Sequence, residues 1–247
     1  MTHQQLRQYL EFYQDLGIQT YYRKAGSAEP PAPAPVKQIV PEIVPEITPA
    51  IIPLEPVADS MLKIAQDIGD CKRCRLCEQR NKIVFGSGSE RASLVFVGEG
   101  PGADEDAQGL PFVGRAGQLL TQMIEGTASK EGIPITRADV YICNVVKCRP
   151  PENRTPLPDE MEICGQFLSR QLQTIQPKAI CALGSTAAKA ILGTKEGVTR
   201  LRGNWHKWRD IPVMVTYHPS YLLRPYNQNA KRESWEDLKK VLHYVYD

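Results

Sequence analysis

The chain has 247 residues, a formal net charge of +2, 42% apolar residues and 23% charged residues, which is typical of one large globular domain or two small ones. No apolar run reaches the roughly 20 residues of a membrane-spanning helix, and the N-terminal stretch MTHQQLRQYLEFYQDLG lacks the apolar core of a secretory signal. We therefore expect a cytoplasmic protein with no membrane partner. In a reducing compartment, seven cysteines favour metal or cofactor ligation over disulfides.

Two segments precede the predicted main domain. Apolar residues at helical spacing predict an amphipathic helix over residues 3–16, within an N-terminal helical segment that we assign to residues 1–25. Residues 26–57 are rich in proline and are predicted to be an extended, semi-rigid linker. The N-terminal helix either docks on a protein partner or packs back on the main domain, which we assign to residues 58–247.

In the main domain, apolar strands alternate with amphipathic helices, a pattern that predicts a parallel sheet covered on both faces. The predicted fold class is α/β, a three-layer αβα arrangement with a central, mainly parallel four-stranded sheet. Ligands of such sheets bind beyond the carboxyl ends of the strands, where this sequence places the loop 98–102, Asn144 and His218. The predicted strands are 93–98, 139–146, 178–184 and 211–218, and the predicted helices are 59–69, 115–125, 158–175, 185–192 and 230–246.

Four of the seven cysteines are candidate metal ligands. Cys71 and Cys74 form a C-x2-C turn, Cys148 lies in a proline-rich loop, and Cys164 follows in a predicted helix. Four converging thiolates can hold a zinc ion or a [4Fe-4S] cluster, and the spacing alone does not choose between them. The other three are a spare thiol beside the pair and two strand residues that we expect in the core: Cys77, Cys143 and Cys181.

The first predicted strand runs into the acidic, glycine-rich loop GEGPGADEDAQG. The start of this loop matches the dinucleotide-binding pattern G-x-G-x-x-A, a weak signal when it stands alone. A pyrophosphate needs bare backbone amides, whereas this loop brings four carboxylates and loses one amide donor at Pro101. The loop is therefore better suited to a neutral ligand, with a carboxylate that orients water or stabilises a cation.

Several motifs, in the expected order, resemble those of the family 4 (iron–sulfur) uracil-DNA glycosylases. They are VFGSG, VGEGPGADEDAQGLPFVGRAGQLL, NVVKCRPPENR, ALGSTAA, RLRGNW and YHPSYLLR, and the resemblance runs through most of residues 60–240. It implies a monofunctional enzyme that flips uracil out of single- or double-stranded DNA and hydrolyses the N-glycosidic bond. The abasic site that remains would initiate base excision repair, and we expect the protein to be a monomer.

The resemblance also implies roles for individual residues. It favours a [4Fe-4S] cluster over zinc, held by Cys71, Cys74, Cys148 and Cys164. In the uracil pocket, Phe112 is expected to stack on the flipped base, Asn144 to read its amide edge and His218 to meet its O2 atom. Glu99, Gly100 and Pro101 are expected to close that pocket.

The group that orients the attacking water is less certain from the sequence. The best-known uracil glycosylases have an aspartate two residues after the first glycine of the motif, and this chain has Gly100 there. Because the developing sugar cation also needs a carboxylate, we expect Glu99 as the first candidate and Glu105 as the second.

DNA contacts are predicted in the segment after His218. Leu222 or Leu223 is expected to wedge into the gap left by the flipped base, with Arg224, Lys231 and Arg232 on phosphates. Arg149 and Arg154 are expected to extend this surface from the loop after Cys148. Two other functions stay open at this point: a non-enzymatic iron–sulfur protein that binds nucleic acid, and a nucleotide-dependent oxidoreductase.

Overall fold

A six-stranded sheet forms the centre of the computed structural model, which describes residues 59–224 and 227–247. The strands lie in the order β1-β3-β2-β4-β6-β5. Their bounds are β1 Ser87–Gly88, β2 Leu94–Gly98, β3 Tyr141–Asn144, β4 Ala179–Leu183, β5 Trp205–Trp208 and β6 Ile211–Thr216.

The four inner strands, β3, β2, β4 and β6, are parallel to one another, which confirms the predicted parallel core of the sheet. Every residue of β2, β3 and β4 is buried, as expected for strands covered on both faces. The sheet also has two antiparallel edge strands that the sequence analysis did not include. β1 has only two residues, and β5 (WHKW) alternates exposed and half-buried residues, so neither gives the continuous apolar signal of an inner strand.

Eight α-helices connect the strands within the described residues. They are α1 Met61–Ile68, α2 Ala103–Gln108, α3 Arg115–Lys130, α4 Pro158–Ile175, α5 Gly184–Leu192, α6 Val198–Leu201, α7 Pro219–Leu222 and α8 Gln228–Tyr246. Short 3₁₀ turns lie at Arg75–Cys77, Arg137–Asp139 and Pro151–Asn153. All five predicted helices are present. The three that were missed have six residues or fewer, too few to display a helical period.

The helices cover both faces of the sheet, so the predicted three-layer αβα fold is confirmed. One apolar core joins α1, α4 and α5 to side chains such as Val95 and Val97 of β2. A second core joins α3 and α8 to Leu94 and Phe96 on the opposite face of that strand. Burial of each such side chain contributes about 1.5–3 kcal/mol to stability. Since alternate residues of β2 point to opposite faces, this one strand stabilises the packing of both helical layers.

The loop around the start of α4 is built on a buried carboxylate. Pro158 occupies the first turn, where its missing N–H leaves no bond unmade. The Glu160 side chain is fully buried; it accepts a hydrogen bond from the Leu157 amide at 2.7 Å and two from Arg154 at 2.6 and 2.8 Å. The hydrogen bonds from Arg154 hold the pKa of Glu160 below its usual value. This arrangement fixes the chain that leads from Cys148 to Cys164.

The predictions for residues 1–25 and for the linker 26–57 lie outside the described residues. No helix of the described part is long and apolar enough to cross a membrane.

Candidate active site

The carboxyl ends of β2, β3 and β6 open on a cavity of about 350 Å³. All seven residues predicted for the base pocket and its catalytic carboxylates line it: Glu99, Gly100, Pro101, Glu105, Phe112, Asn144 and His218. The lining also includes Gly102, which the sequence places there as the end of the loop 98–102, and residues that were not predicted there: Ala116, Pro150, Asn153, Arg154 and Ser220. The structure therefore brings together residues that are up to 121 positions apart in the chain, because the parallel strands of the sheet end at the same edge.

Asn144, the last residue of β3, presents an unsatisfied amide to this cavity. The side chain is only 1% exposed, and its Oδ1 atom has no hydrogen-bond partner within the described residues. A buried acceptor without a donor costs about 1–3 kcal/mol, so a ligand that supplies an N–H group would be held strongly. Gly98 lies opposite in β2, and a Cβ there would come within 2.4 Å of both Oδ1 and the Phe112 ring.

Phe112 is held in a backbone conformation that a phenylalanine rarely adopts. Its φ angle is +52°, in the left-handed region. Its ring is 6% exposed and lies beside the His218 ring, with centroids 5.7 Å apart and planes at 34°. Gly117 allows the close approach, since a Cβ at that position would lie 1.9 Å from the Phe112 carbonyl oxygen. Such strain persists only where the surroundings impose it, and it is typical of functional sites.

Glu105 is the main constraint on the Phe112 loop. Its Oε1 atom accepts hydrogen bonds from the amides of Val113 and Gly114, both at 2.9 Å, and its Oε2 atom accepts one from Gly102 at 3.1 Å. These three bonds tie the residues that follow Phe112 to the start of α2. Both carboxylate oxygens of Glu105 therefore accept hydrogen bonds from backbone amides. The sequence analysis did not predict these contacts.

His218 enters the cavity as a neutral imidazole. Burial lowers its pKa to about 4, although the nearby charge of Glu105 acts in the opposite direction. The Ser220 amide donates a hydrogen bond to Nδ1 at 3.2 Å, and the Ser220 hydroxyl lies 2.8 Å from the same atom. Because Nδ1 accepts, the single proton of the neutral ring resides on Nε2, which is left to serve a ligand.

Glu99 follows β2 directly and is oriented by the next layer of the fold. Its Oε2 atom accepts a hydrogen bond from the Thr186 hydroxyl in α5. Its backbone carbonyl accepts one from the Val146 amide at 3.2 Å, in the segment after β3. The carboxylate is thus anchored by one oxygen at the edge of the cavity.

The four predicted metal ligands line a second, smaller cavity. Cys71, Cys74, Cys148 and Cys164 share it with apolar side chains of α1 and α4 and with two cations, Arg80 and Lys147. Among residues 59–224 and 227–247, no three His, Cys, Asp or Glu side chains form a group that could hold a metal ion directly. Of the other cysteines, Cys143 and Cys181 are buried in the core as predicted, and Cys77 is half-buried.

The chemistry of this cavity fits thiolate ligation. Arg80 donates to the Cys148 sulfur at 3.6 Å, and the Lys147 amide donates to the Cys164 sulfur at 3.2 Å. Hydrogen bonds to sulfur and nearby cations stabilise bound thiolates. Without a metal, burial raises the pKa of the Cys148 thiol to about 12. Ligation by Cys148 would therefore release a proton from a thiol that otherwise stays neutral.

Lys147 connects the two cavities and was not singled out from the sequence. It is 1% exposed, and its ammonium donates to the Asn144 carbonyl at 2.8 Å and to the Gln171 side chain at 2.6 Å. Gln171 in turn donates to the Phe85 carbonyl at 3.0 Å and to the Tyr141 hydroxyl at 3.2 Å. Burial lowers the pKa of Lys147. The sequence feature that could have indicated this role is the position of the lysine directly after the buried residues Val145 and Val146.

The segment predicted to contact DNA is only partly suited to that role. Leu222 is 1% exposed, because α7 turns it into the protein, which favours Leu223 of the two residues predicted as a wedge; the wedge itself stays a prediction. Leu223 is half-buried and Arg224 is exposed. Lys231 and Arg232 are exposed at the start of α8.

The two arginines of the Cys148 loop have intramolecular partners. Arg154 forms its ion pair with the buried Glu160 at 2.6 Å. Arg149 donates to the Asn153 side chain at 2.8 Å. Their predicted contact with DNA therefore remains a prediction.

Comparisons with known proteins agree with this geometry. A family model described as the uracil DNA glycosylase superfamily matches residues 85–239. The chain is 45% identical to a type-4 uracil-DNA glycosylase of Thermotoga maritima, over 74% of this chain and 93% of that one. It is 43% identical to a type-4 enzyme of Sulfurisphaera tokodaii, over 74% and 84%. A type-5 uracil-DNA glycosylase of Pyrobaculum aerophilum is 31% identical, over 63% and 71%.

Proposed function

The chain belongs to the uracil DNA glycosylase superfamily and, within it, to the type-4 uracil-DNA glycosylases, and we propose how its pocket performs that activity. It is a monofunctional uracil-DNA glycosylase, a hydrolase of N-glycosyl bonds. It flips uracil out of DNA, releases the base and leaves an abasic site, and so initiates base excision repair. The observation that best supports this function is the buried Oδ1 atom of Asn144, which has no hydrogen-bond partner within the described residues and lies in a cavity also lined by Phe112 and His218.

Asn144 reads the base in this proposal. Its Oδ1 atom accepts from the N3–H group of uracil, and its amide nitrogen donates to O4. Cytosine has an acceptor at N3 and a donor at position 4, so both contacts would be reversed. A base with the wrong edge would leave buried polar groups unpaired, which is the strongest form of discrimination available to a pocket.

Phe112 offsets part of the cost of extruding the base. Unstacking and unpairing a nucleotide costs a few kcal/mol, and stacking on an aromatic side chain returns about 1–3 kcal/mol. Because Glu105 already fixes the loop through three amides, the ring is in place before uracil arrives. Glu105 therefore acts by positioning Phe112 in this proposal, and its role as the second candidate for the catalytic carboxylate stays a prediction.

His218 assists departure of the base. As the bond between C1′ and N1 breaks, both bonding electrons pass to uracil and negative charge develops on O2. The Nε2–H group of His218 donates to that oxygen, while Nδ1 is held by the Ser220 amide. A preorganised donor at a developing oxyanion typically contributes 10²- to 10³-fold to the rate.

Glu99 completes the hydrolysis. The sugar becomes an oxocarbenium-like cation, and a carboxylate with one oxygen anchored by Thr186 can stabilise it with the other. The same oxygen orients a water molecule that attacks C1′ and accepts the proton that this water loses. Glu99 is thus our assignment for the water-orienting group.

Cys71, Cys74, Cys148 and Cys164 are our proposed ligands of a [4Fe-4S] cluster, since their cavity combines four thiols, N–H···S bonds and two cations. When bound, such a cluster supplies a structural cross-link between the 71–77 turn and the segment 148–164. Hydrolysis oxidises and reduces no group, so no step of the reaction needs an electron carrier. We further propose that the protein works as a monomer in the cytoplasm, associated with uracil-containing DNA, and that residues 1–25 serve a protein partner.

The test uses end-labelled oligonucleotides that contain one uracil or, as the matched control, one thymine. Alkali should cleave the strand at uracil alone after incubation with the brown, anaerobically purified protein. Absence of cleavage by protein that retains its visible absorbance would favour the non-enzymatic nucleic-acid binder over the glycosylase. Single- and double-stranded substrates run in parallel define the strand preference.

A further inference from the structure

One exposed aromatic ring beside the pocket has no part in the steps described above. Three aromatic side chains are exposed in the described part of the chain: Trp205, Tyr221 and Tyr244. Trp205 and Tyr244 pack against each other, with ring centroids 4.7 Å apart. Tyr221, 39% exposed, instead follows His218 and Ser220, both of which line the pocket.

Backbone hydrogen bonds and one ring contact hold Tyr221 in position. Its amide donates to the His218 carbonyl at 2.9 Å, and its carbonyl accepts from the Asn227 side chain at 2.7 Å. Its ring stacks on that of Tyr217, with centroids 5.3 Å apart and planes at 26°. A ligand that stacks on Tyr221 would therefore meet a preorganised surface, and little conformational entropy would be lost on binding.

Two guanidinium groups flank this tyrosine pair. Arg202 lies 5.7 Å from the centre of the Tyr217 ring and is held by Asp237 at 2.6 Å. Arg224 lies 5.9 Å from the centre of the Tyr221 ring, near the outer limit of a cation–π contact. Proteins usually bind single-stranded nucleic acid with aromatic rings, which stack on the bases, and with cations, which contact the phosphates.

We propose that Tyr221 is a stacking platform for the nucleobase adjacent to the extruded uracil in the same DNA strand, with Arg224 beside its phosphate. The proposal rests on the proposed function, because only a DNA substrate brings such a base to the rim of this pocket. When uracil leaves the stack, its neighbour loses one stacking partner. Tyr221 replaces that partner, a role that the buried Leu222 cannot perform in this conformation.

The test uses oligonucleotides with a tetrahydrofuran abasic analogue and 2-aminopurine on either its 5′ or its 3′ side. The wild-type protein should quench 2-aminopurine fluorescence at one of these two positions. Tyr221→Ala should lose that quenching and bind the oligonucleotide roughly 5- to 150-fold more weakly, a range set by typical stacking contributions of about 1–3 kcal/mol. Tyr221→Phe should retain both properties, and Tyr244→Ala, which removes a more exposed ring elsewhere, should match the wild type.

Three results would overturn the platform. They are wild-type protein that quenches at neither position, Tyr221→Ala that quenches and binds normally, and Tyr221→Phe that fails as completely as Tyr221→Ala. Circular dichroism and thermal melting of the Tyr221→Ala protein verify that its fold is intact. Since the probe contains no uracil, these outcomes do not depend on excision. Failure of the wild-type protein to excise uracil would be a separate result, against the proposed function itself.

Discussion

The base pocket and the cysteine cavity draw on the same short segment, 144–148, yet they treat polar groups in opposite ways. In the pocket, the Asn144 side chain keeps an acceptor without a partner, and Phe112 keeps a strained backbone. In the cysteine cavity, the sulfurs of Cys148 and Cys164 already accept hydrogen bonds. Within these two cavities, the Oδ1 atom of Asn144 is left for a ligand, whereas the hydrogen-bonded sulfurs lie where a metal cluster would bind.

Loss of a proposed cluster ligand is the change with the largest expected effect. Cys148→Ala should yield colourless protein with a much lower melting temperature, because thiolate–metal sites contribute on the order of 10 kcal/mol to folding. Visible absorbance and a thermal melt measure both effects. Cys77→Ala, at a thiol outside the cavity lining, is the matched control and should keep colour and stability. A brown Cys148→Ala protein with an unchanged melt would refute the ligand assignment.

His218→Ala comes next and should act on the chemical step. Removing the donor to O2 should lower the single-turnover excision rate roughly 10²- to 10³-fold, with visible absorbance unchanged. Binding to an oligonucleotide with an abasic analogue should stay close to that of the wild type, because that ligand has no O2 atom to contact. A rate within about threefold of the wild type would show that another group supports the leaving base.

Lys147→Met probes the connection between the two regions. The variant leaves the Asn144 carbonyl and the Gln171 side chain without their donor, which should lower the free energy of unfolding by about 1–3 kcal/mol. Since the Asn144 backbone is then less restrained, we expect excision to slow by roughly tenfold. Denaturant unfolding and single-turnover kinetics measure the two quantities.

The control for this variant is Lys189→Met, at an exposed lysine of α5, which should change neither stability nor rate. If Lys147→Met lost stability but excised uracil at the wild-type rate, the two cavities would be independent.

The smallest expected effect is the change in excision rate and stability with pH that His218 causes. Because burial lowers the pKa of His218 to about 4, its ring should stay neutral from pH 8 to about pH 5, and excision should show no step near pH 6.5. The unfolded chain binds this proton near pH 6.5, so the contribution of His218 to stability is complete above that pH and is lost as pH falls toward 4. Nitrogen NMR of labelled histidine checks this; titration of His218 near pH 6.5 would contradict the neutral donor.

The sequence was most informative where a signal repeats or where a motif is long. The four inner strands were predicted from continuous apolar runs and the five longer helices from amphipathic patterns. Asn144 and His218 were predicted from their positions at strand ends, and the role of Phe112 from the family resemblance. Edge strand β1 and helix α7 were missed because each is too short to show a period. The burial of Leu222 depends on how α7 packs, which no local pattern contains.

The sequence was least informative about supporting contacts. Glu105 was read as a catalytic carboxylate because it lies in an acidic loop, but its three amide partners belong to residues brought near only by folding. Lys147 was passed over because a single lysine in an apolar run is ambiguous until its partners, Asn144 and Gln171, are known. Both sets of contacts depend on the folded chain, and whether Glu105 also takes part in the reaction stays a prediction.

The most direct test of the account is single-turnover excision by Asn144→Ala, with binding to an abasic-analogue oligonucleotide measured beside it. If the unpartnered amide reads uracil, the rate should fall at least about 100-fold, because two buried hydrogen bonds to the base are lost. Affinity for the abasic analogue, which has no base to read, should remain unchanged. Excision at the wild-type rate would contradict the claim that this amide selects the substrate.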